Sequence, residues 1–377
     1  MNSQDPTAPP PLRRFVFPFI FVAALFIALY MRRPEPSPPV EVETVWELAG
    51  KAMGTGYIVK VIPGDNVPET EAPVVAKAAD AAIQRVNQYL STYSDTSEIS
   101  VFNRMRSTES VKISADFSTV LTASLSLFEK TGGAFDVTVG PLVNLWGFGP
   151  GDKDKVPTEQ EIADARSRMG SQLLKLSDSD TRLAKTKESV YVDLSAIAKG
   201  YGVDQMGAAI RSQGYDRFLV EVGGEVLVSG AGPNGKAWTI GLERPDGGAQ
   251  DIETTIQLKG ALATSGNYRN FRKVNGVRIG HTIDPRTGGF VTHETASVSV
   301  VMPSCMEADG WATSMMVLGE KEGLAVAEKY GVAARFLVAD GEDGFVAVAS
   351  SQWNTLFPQK RDETRDSSEY APQREKD

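Results

Sequence analysis

Phe218-Leu-Val-Glu-Val-Gly-Gly-Glu-Val-Leu-Val-Ser229 decides the class of fold. Apolar and polar residues alternate from Phe218 to Val222, two glycines follow, and a second apolar run extends from Val226 to Ser229. Alternation with a period of two marks a strand with one buried face, and a Gly-Gly pair supplies the positive φ angles of a tight hairpin turn. The stretch therefore predicts an antiparallel pair. Working outward, Val45 to Val61 reads as strand, turn and strand, with Lys51-Ala-Met-Gly-Thr55 in the bend. Trp238 to Leu242, Ile252 to Leu258 and Ala296 to Met302 read as further strands, and Gly341-Glu-Asp-Gly344 turns a late hairpin.

Helices are interspersed. Pro73 to Leu90 places Ala79, Ile83, Val86 and Leu90 on one face. Asp116 is expected to cap a helix ending at Lys130, where Gly132-Gly133 stops it. A short apolar strand, Val190 to Leu194, opens into a helix from Ser195 to Ser212. Ser304 caps Cys305 to Leu318, Gly319 ends it, and a last helix lies near Glu320 to Tyr330. Hairpins with helices between them predict an α+β fold with largely antiparallel sheets and packed helices.

The composition of the 377 residues, 41% hydrophobic and 23% charged, allows an ordinary globular core. The net charge is −9 and the folded region has no basic run, which excludes nucleic acid as a main partner. One cysteine, Cys305, excludes a disulfide framework or a multi-cysteine metal site, and it lies too far from the N-terminus to be a lipoprotein anchor. Arg13-Arg14 and Arg32-Arg33 flank an uncharged run from Phe15 to Met31, and no small-residue cleavage site follows. The organisation expected is a short cytoplasmic arm at 1–14, a single-pass signal anchor at 15–31, a Pro-rich linker at 32–44, a domain at 45–353 and a disordered polar tail at 354–377.

Several segments are too rich in Gly, Asp, Thr and His for packing alone. They are Met53-Gly-Thr55, the run Leu90 to Asn103 around Tyr93, Gly132 to Phe148 beginning Gly-Gly-Ala-Phe-Asp, and Val192-Asp-Leu-Ser-Ala-Ile-Ala-Lys-Gly-Tyr-Gly202. A last group comprises Ala263 to Arg269, His281-Thr-Ile-Asp-Pro-Arg-Thr-Gly288 and Met306-Glu-Ala-Asp-Gly-Trp-Ala-Thr313. Asp309 and Thr313 are four apart on one helix face, a carboxylate and a hydroxyl suited to a hard cation. His281 is one of two histidines and could serve as a general base or simply orient a loop; Asp284 is the alternative base. Arg269 and Arg286 are candidate phosphate contacts, and His293 reads as structural or exposed. Gly200-Tyr-Gly202 removes bulk for the close approach of a cofactor or a neighbouring element.

In this order, from about Val45 to about Val348, the segments resemble the ApbE family of FAD:protein FMN transferases. The resemblance implies a T-fold-related architecture and a Mg²⁺ site formed by Asp309, Thr313 and the main-chain carbonyl of Ala196. It implies FAD contacts at Met53, Tyr93, Ala134, Phe135, Asp136, Asp193 and Ile283, with Lys199 near the flavin end. The implied reaction moves FMN from FAD to a Thr or Ser hydroxyl of a flavoprotein subunit of a membrane redox complex, or of another exported protein, and releases AMP. The anchor would hold the domain on the periplasmic side of a bacterial inner membrane. FAD storage and metal-dependent hydrolysis of FAD are the competing readings. Asn267, where an acidic residue is common, and Gly310, which costs a helix roughly 1 kcal/mol relative to Ala, depart from the family pattern.

Overall fold

The computed structural model describes residues 43–358 except 66, 149–155, 178, 180, 246–250, 268–270, 275–276, 281 and 342–343. The expected anchor and nearly all of the expected tail lie outside the described residues, among which no helix is long and apolar enough to cross a membrane. Every strand and helix described belongs to the unit Thr44–Asp377.

In chain order the first half contains β1 (Trp46–Ala52), β2 (Thr55–Val61), α1 (Ala72–Leu90), α2 (Glu98–Arg104), β3 (Val111–Lys112), α3 (Ala115–Lys130), α4 (Gly140–Leu145) and α5 (Glu159–Arg166). Next come β4 (Leu174–Leu176), β5 (Arg182–Lys185), α6 (Ser195–Ser212), β6 (Phe218–Val222), β7 (Glu225–Ser229), β8 (Trp238–Glu243) and β9 (Ile252–Leu258). The chain ends with β10 (Gly260–Gly266), β11 (Phe271–Val274), β12 (Val277–Gly280), β13 (Thr295–Met302), α7 (Cys305–Tyr330), β14 (Ala333–Asp340), β15 (Gly344–Ala349) and α8 (Ser351–Leu356).

Eight strands form one sheet in the order β1-β2-β6-β7-β10-β13-β14-β15, with every neighbouring pair antiparallel. The Gly-Gly hairpin sits near its middle as β6–β7, and both turn glycines have positive φ. Two smaller hairpins, β8–β9 and β11–β12, and a three-stranded sheet β3-β5-β4 stand outside it. Alternation gives the main sheet two different faces. Val59, Val61, Phe218, Val220 and Val222 share a core with Ile83 of α1 and Val203, Met206 and Ile210 of α6. On the opposite face Val226 and Val228 pack with Trp238, Leu242, Ile256 and Leu258 of the β8–β9 hairpin and with Trp353 of α8. Burying such side chains contributes roughly 1.5–3 kcal/mol each, so the two sets together pin the register.

The structure corrects four expectations. Ser114, not Asp116, caps α3, accepting from the Phe117 N–H. Asp116 is instead buried, bound by Arg85 at 2.6 Å and by the Tyr201 hydroxyl at 2.7 Å. Among the described residues Val190 to Leu194 pairs with no strand; Asn103 takes the place of one, its side chain donating to and accepting from the Val192 backbone at 2.8 Å each. The boundary expected at 353 falls inside α8, whose buried Trp353 packs against Phe357 with the ring centroids 4.8 Å apart and the planes tilted by 55°. Gly319 breaks α7 at φ 73°, but helical residues resume at once, so the two expected helices form one kinked rod.

The glycines of α6 set the helix packing. A Cβ at Gly200 would lie 2.2 Å from the Cys305 carbonyl oxygen at the start of α7, and one at Gly202 would meet the Met53 sulfur and Ile83. Gly310 is explained in the same way, because a Cβ there would lie 2.4 Å from Leu127 and 3.1 Å from Ile197. The helix-propensity cost is offset by this close packing. Gly200→Ala is expected to lower unfolding free energy by about 1–3 kcal/mol, the usual cost of overpacking a tight contact, as measured by urea denaturation; unchanged stability would show that the crossing can open freely.

Candidate functional site

A cavity of about 740 Å³ opens where the starts of α6 and α7 meet the loop after α3. Ala134, Phe135 and Asp136 line it from that loop, Asp193, Ala196 and Lys199 from the entry to α6, and Asp309 and Thr313 from α7. Ile283 reaches it from the loop before β13. Segments far apart in sequence thus share one wall because α6 and α7 cross closely at Gly200.

Thr313 Oγ1 donates to the Ala196 carbonyl at 3.3 Å, which brings together two of the three expected metal ligands. Asp309, one turn earlier on the same face, is almost fully buried, and its Oδ2 accepts from the Gly200 N–H at 2.9 Å. Hydroxyl, carbonyl and carboxylate form an oxygen-only donor set, which fits a hard divalent cation and does not fit a thiophilic one. Ser265 adds a hydroxyl 3.4 Å from that of Thr313.

Lys199 completes the electrostatics. Its Nζ lies 2.8 Å from Glu225 Oε1 and 3.7 Å from Asp309 Oδ1. Burial works against the ammonium, but the carboxylates of Asp309 and Glu225 outweigh it and raise the Lys199 pKa above its ordinary value. Burial raises the Asp309 pKa, opposed by Lys199 and the Gly200 N–H. Burial likewise pushes Glu225 up to about 8, with the Lys199 charge opposing and the Asp309 charge adding to it. The second oxygen of Glu225, Oε2, is buried and has no partner among the described residues. Glu225 is a site residue that sequence reasoning missed. An acidic residue placed directly after the Gly-Gly turn, at the start of an otherwise apolar strand, was the available signal.

Other expected residues have different surroundings. Asp136 Oδ1 accepts from the Thr138 N–H, the Thr138 hydroxyl and the Ser171 hydroxyl at 2.6–2.8 Å, so this oxygen organises its own loop. Asp193 Oδ1 accepts from the Ser195 N–H, and its own N–H donates to the Val137 carbonyl at 2.7 Å, tying the two cavity-lining loops together. Asp284 is buried behind Ile283 and Pro285, and Arg286 binds both of its carboxylate oxygens at 2.8–3.2 Å. The Arg286 guanidinium also binds Glu322 and lies off this cavity. Met53 packs over Gly202, and Tyr93 is 80% exposed; neither lines the cavity. His281 and Arg269 lie outside the described residues. His293 braces the kink of α7, with Nε2 3.0 Å from the Met316 carbonyl.

The raised Glu225 pKa has a direct consequence for stability. A carboxyl that holds its proton more tightly when folded contributes stability below the ordinary glutamate pKa, and that stability is lost as pH rises through about 8. Metal-free protein is therefore expected to weaken as pH is raised from about 5 to about 9. Glu225→Gln should flatten the decline in urea-unfolding curves, with a residual slope from Asp309, whose pKa shifts in the same direction; an unaltered slope would contradict this assignment.

Known proteins resemble this chain in sequence and in fold. The family model described as ApbE family matches residues 53–336. An FAD:protein FMN transferase of Haemophilus influenzae is 39% identical over 322 residues, covering 84% of this chain and 92% of that protein. One of Vibrio cholerae is 40% identical over 312 residues, covering 82% and 92%. Among solved structures, the flavin transferase ApbE from Vibrio cholerae superposes with a TM-score of 0.76 at 39% identity, covering 83% of this chain and 99% of the other. The apo flavinyl transferase ApbE of Pseudomonas stutzeri gives 0.77 at 34% identity, covering 86% and 100%. With the match extending over most of the folded region, the chain belongs to the ApbE family.

Proposed function

We propose that this chain is a Mg²⁺-dependent FAD:protein FMN transferase that attaches FMN through a phosphoester to a Thr or Ser hydroxyl of a flavoprotein and releases AMP. The observation that carries the reading is the convergence of Thr313, the Ala196 carbonyl and Asp309 on one cavity wall beside Lys199. The names of the relatives in four-fifths-length alignments support the same reading. Asp309, Thr313 and Ala196 would hold the metal, which supplies charge neutralisation on the pyrophosphate. Lys199, kept protonated by two carboxylates, offers the phosphate oxygens a fixed cation. Ala134 and Phe135 give the cavity an apolar wall for a flat ring, and the Asp193–Val137 link fixes that wall relative to α6.

The acceptor oxygen attacks the phosphorus on the FMN side, the bridging bond to AMP breaks, and the hydroxyl proton passes to a base. We assign the proton to His281, because Arg286 already binds both oxygens of Asp284. Positioning and charge stabilisation carry such a transfer without a protein nucleophile. Residues 15–31 would anchor the chain in a bacterial inner membrane with the domain in the periplasm, beside a membrane redox complex or another exported flavoprotein.

Incubating the chain with FAD, Mg²⁺ and an unflavinylated acceptor domain should add the mass of one FMN to the acceptor. Free FMN and AMP with an unlabelled acceptor would indicate hydrolysis instead, and intact bound FAD would indicate storage. Asp309→Ala should lower turnover by about 10²–10³-fold while leaving some FAD bound, and chelation followed by Mg²⁺ should abolish and then restore activity. Protease added to spheroplasts should degrade the domain; protection would reverse the orientation.

A further inference from the structure

Lys185 stands at the end of β5 with its side chain fully buried, and the proposed transfer gives it no part. Its Nζ donates to two main-chain carbonyls, those of Phe102 and Val190, at 3.3 Å each, and lies 5.2 Å from the centre of the Phe102 ring. Among the described residues no carboxylate pairs with it. Taking an ammonium out of water is costly, and two neutral carbonyls with a ring face offset that cost only in part. Burial accordingly lowers the Lys185 pKa, with the Arg106 charge adding to the shift and Glu188 opposing it. A methionine would fill the same space without that cost, so packing alone does not account for the charge.

The two carbonyls belong to segments that meet behind the cavity. Phe102 lies in the last turn of α2, where helix-end carbonyls attract a cation. Val190 opens the extended segment 190–194, which has no strand beside it among the described residues. Single contacts hold that segment instead. Lys185 takes the Val190 carbonyl, Asn103 of α2 grips the Val192 backbone in both directions, and the Asp193 N–H donates to the Val137 carbonyl. Asp193 and Val137 line the cavity, whereas Lys185, Phe102 and Asn103 do not. The connection from β5 therefore runs through Val190 and Val192 to Asp193, and ends on the loop that carries Ala134, Phe135 and Asp136. The wall bearing Ala196, Asp309 and Thr313 is built differently, on the Gly200 contact between α6 and α7, and takes nothing from Lys185.

We infer that Lys185 is a positioning residue for FAD: it fixes residues 190–193 in the extended form that presents Asp193 and the adjoining loop to the dinucleotide, an inference that rests on the proposed transfer activity. A strand inside a sheet is held by a repeating ladder, so the loss of one bond leaves its neighbours in place. Here Val190, Val192 and Asp193 each depend on a different partner, and releasing one loosens the next. A charged donor holds a carbonyl about twice as strongly as a neutral one. That is what the buried ammonium adds at the point where the segment begins.

Lys185→Met in the full chain tests this. FAD affinity, read by flavin fluorescence with Mg²⁺ and no acceptor, should weaken about tenfold. In the transfer assay the FAD KM should rise by the same factor with kcat unchanged, and Mn²⁺ affinity read by electron paramagnetic resonance should stay as it was. Asn103→Ala should weaken FAD in the same way, and the double variant should fall well short of the product of the two losses, because both act through residues 190–193. Unchanged FAD affinity in Lys185→Met, fully multiplicative losses, or an equal loss of Mn²⁺ affinity overturns the inference while leaving transfer intact. Lys185→Gln, which keeps a neutral donor, replaces Lys185→Met if that variant does not fold; failure of both to fold would show that the cation serves the fold alone and overturns the inference. If the unaltered chain binds no FAD, the transfer reading and this inference fall together.

Discussion

Gly200 permits α6 and α7 to touch backbone to backbone, and the rest of the site depends on that contact. With the Cys305 carbonyl where a Cβ of residue 200 would be, the first turn of α7 sits against the second turn of α6. Asp204 then reaches across to hold the Cys305 and Met306 N–H groups and the Ser304 hydroxyl at 2.8–2.9 Å, satisfying helix-end donors that would otherwise be buried without partners. Gly310 lets the same rod settle on Leu127 and Ile197. The register that results puts the Ala196 carbonyl beside Thr313 and the Gly200 N–H on Asp309. One helix supplies a main-chain oxygen, the other supplies side-chain oxygens, and neither is a ligand set alone.

Burying charge at that crossing is costly, and the protein offsets it by pairing. Lys199 stands between Asp309 and Glu225, so two buried acids face one partly exposed base at the cavity wall. The balance is incomplete: the pKa values of both acids are raised, and Glu225 keeps one buried oxygen without a partner among the described residues. A purely structural network would favour full satisfaction of its polar atoms. Two carboxyl groups that share one ammonium beside an oxygen-lined cavity instead favour the arrival of a cation, which would stabilise their ionised forms.

Much of the scaffold is legible in the sequence because local patterns coincide with the tertiary outcome. The period of Ala79, Ile83, Val86 and Leu90 gives α1, and the Gly-Gly turn gives the central hairpin. Ser304 and Gly319 bracket the half of α7 that carries Asp309 and Thr313, as their chemistry predicts. The failures share a cause. Asp116 has the composition of a cap, but Arg85 and Tyr201, remote in sequence, draw it into the core. Val192 reads as a strand residue because its neighbours are apolar, yet its partner is the Asn103 side chain. At the site, Asp309 and Thr313 are visible through their helical spacing and Ala196 only through resemblance, since no side chain signals a main-chain carbonyl that faces a cavity. Glu225 is hidden because a charge next to a turn is usually solvated, and only the packing of β7 against α6 buries it. Met53 and Tyr93 are prominent in the segments that carry the resemblance but stand apart from the cavity.

The central claim is that the crossing of α6 and α7 forms a divalent-cation site, and anomalous diffraction from crystals soaked in Mn²⁺, a close substitute for Mg²⁺ at oxygen ligands, tests it most directly. The expected result is a single strong peak about 2.0–2.3 Å from Asp309, Thr313 Oγ1 and the Ala196 carbonyl, with Lys199 drawn towards Glu225. A peak bound elsewhere, or none at this wall while Lys199 still spans the two acids, would contradict the account.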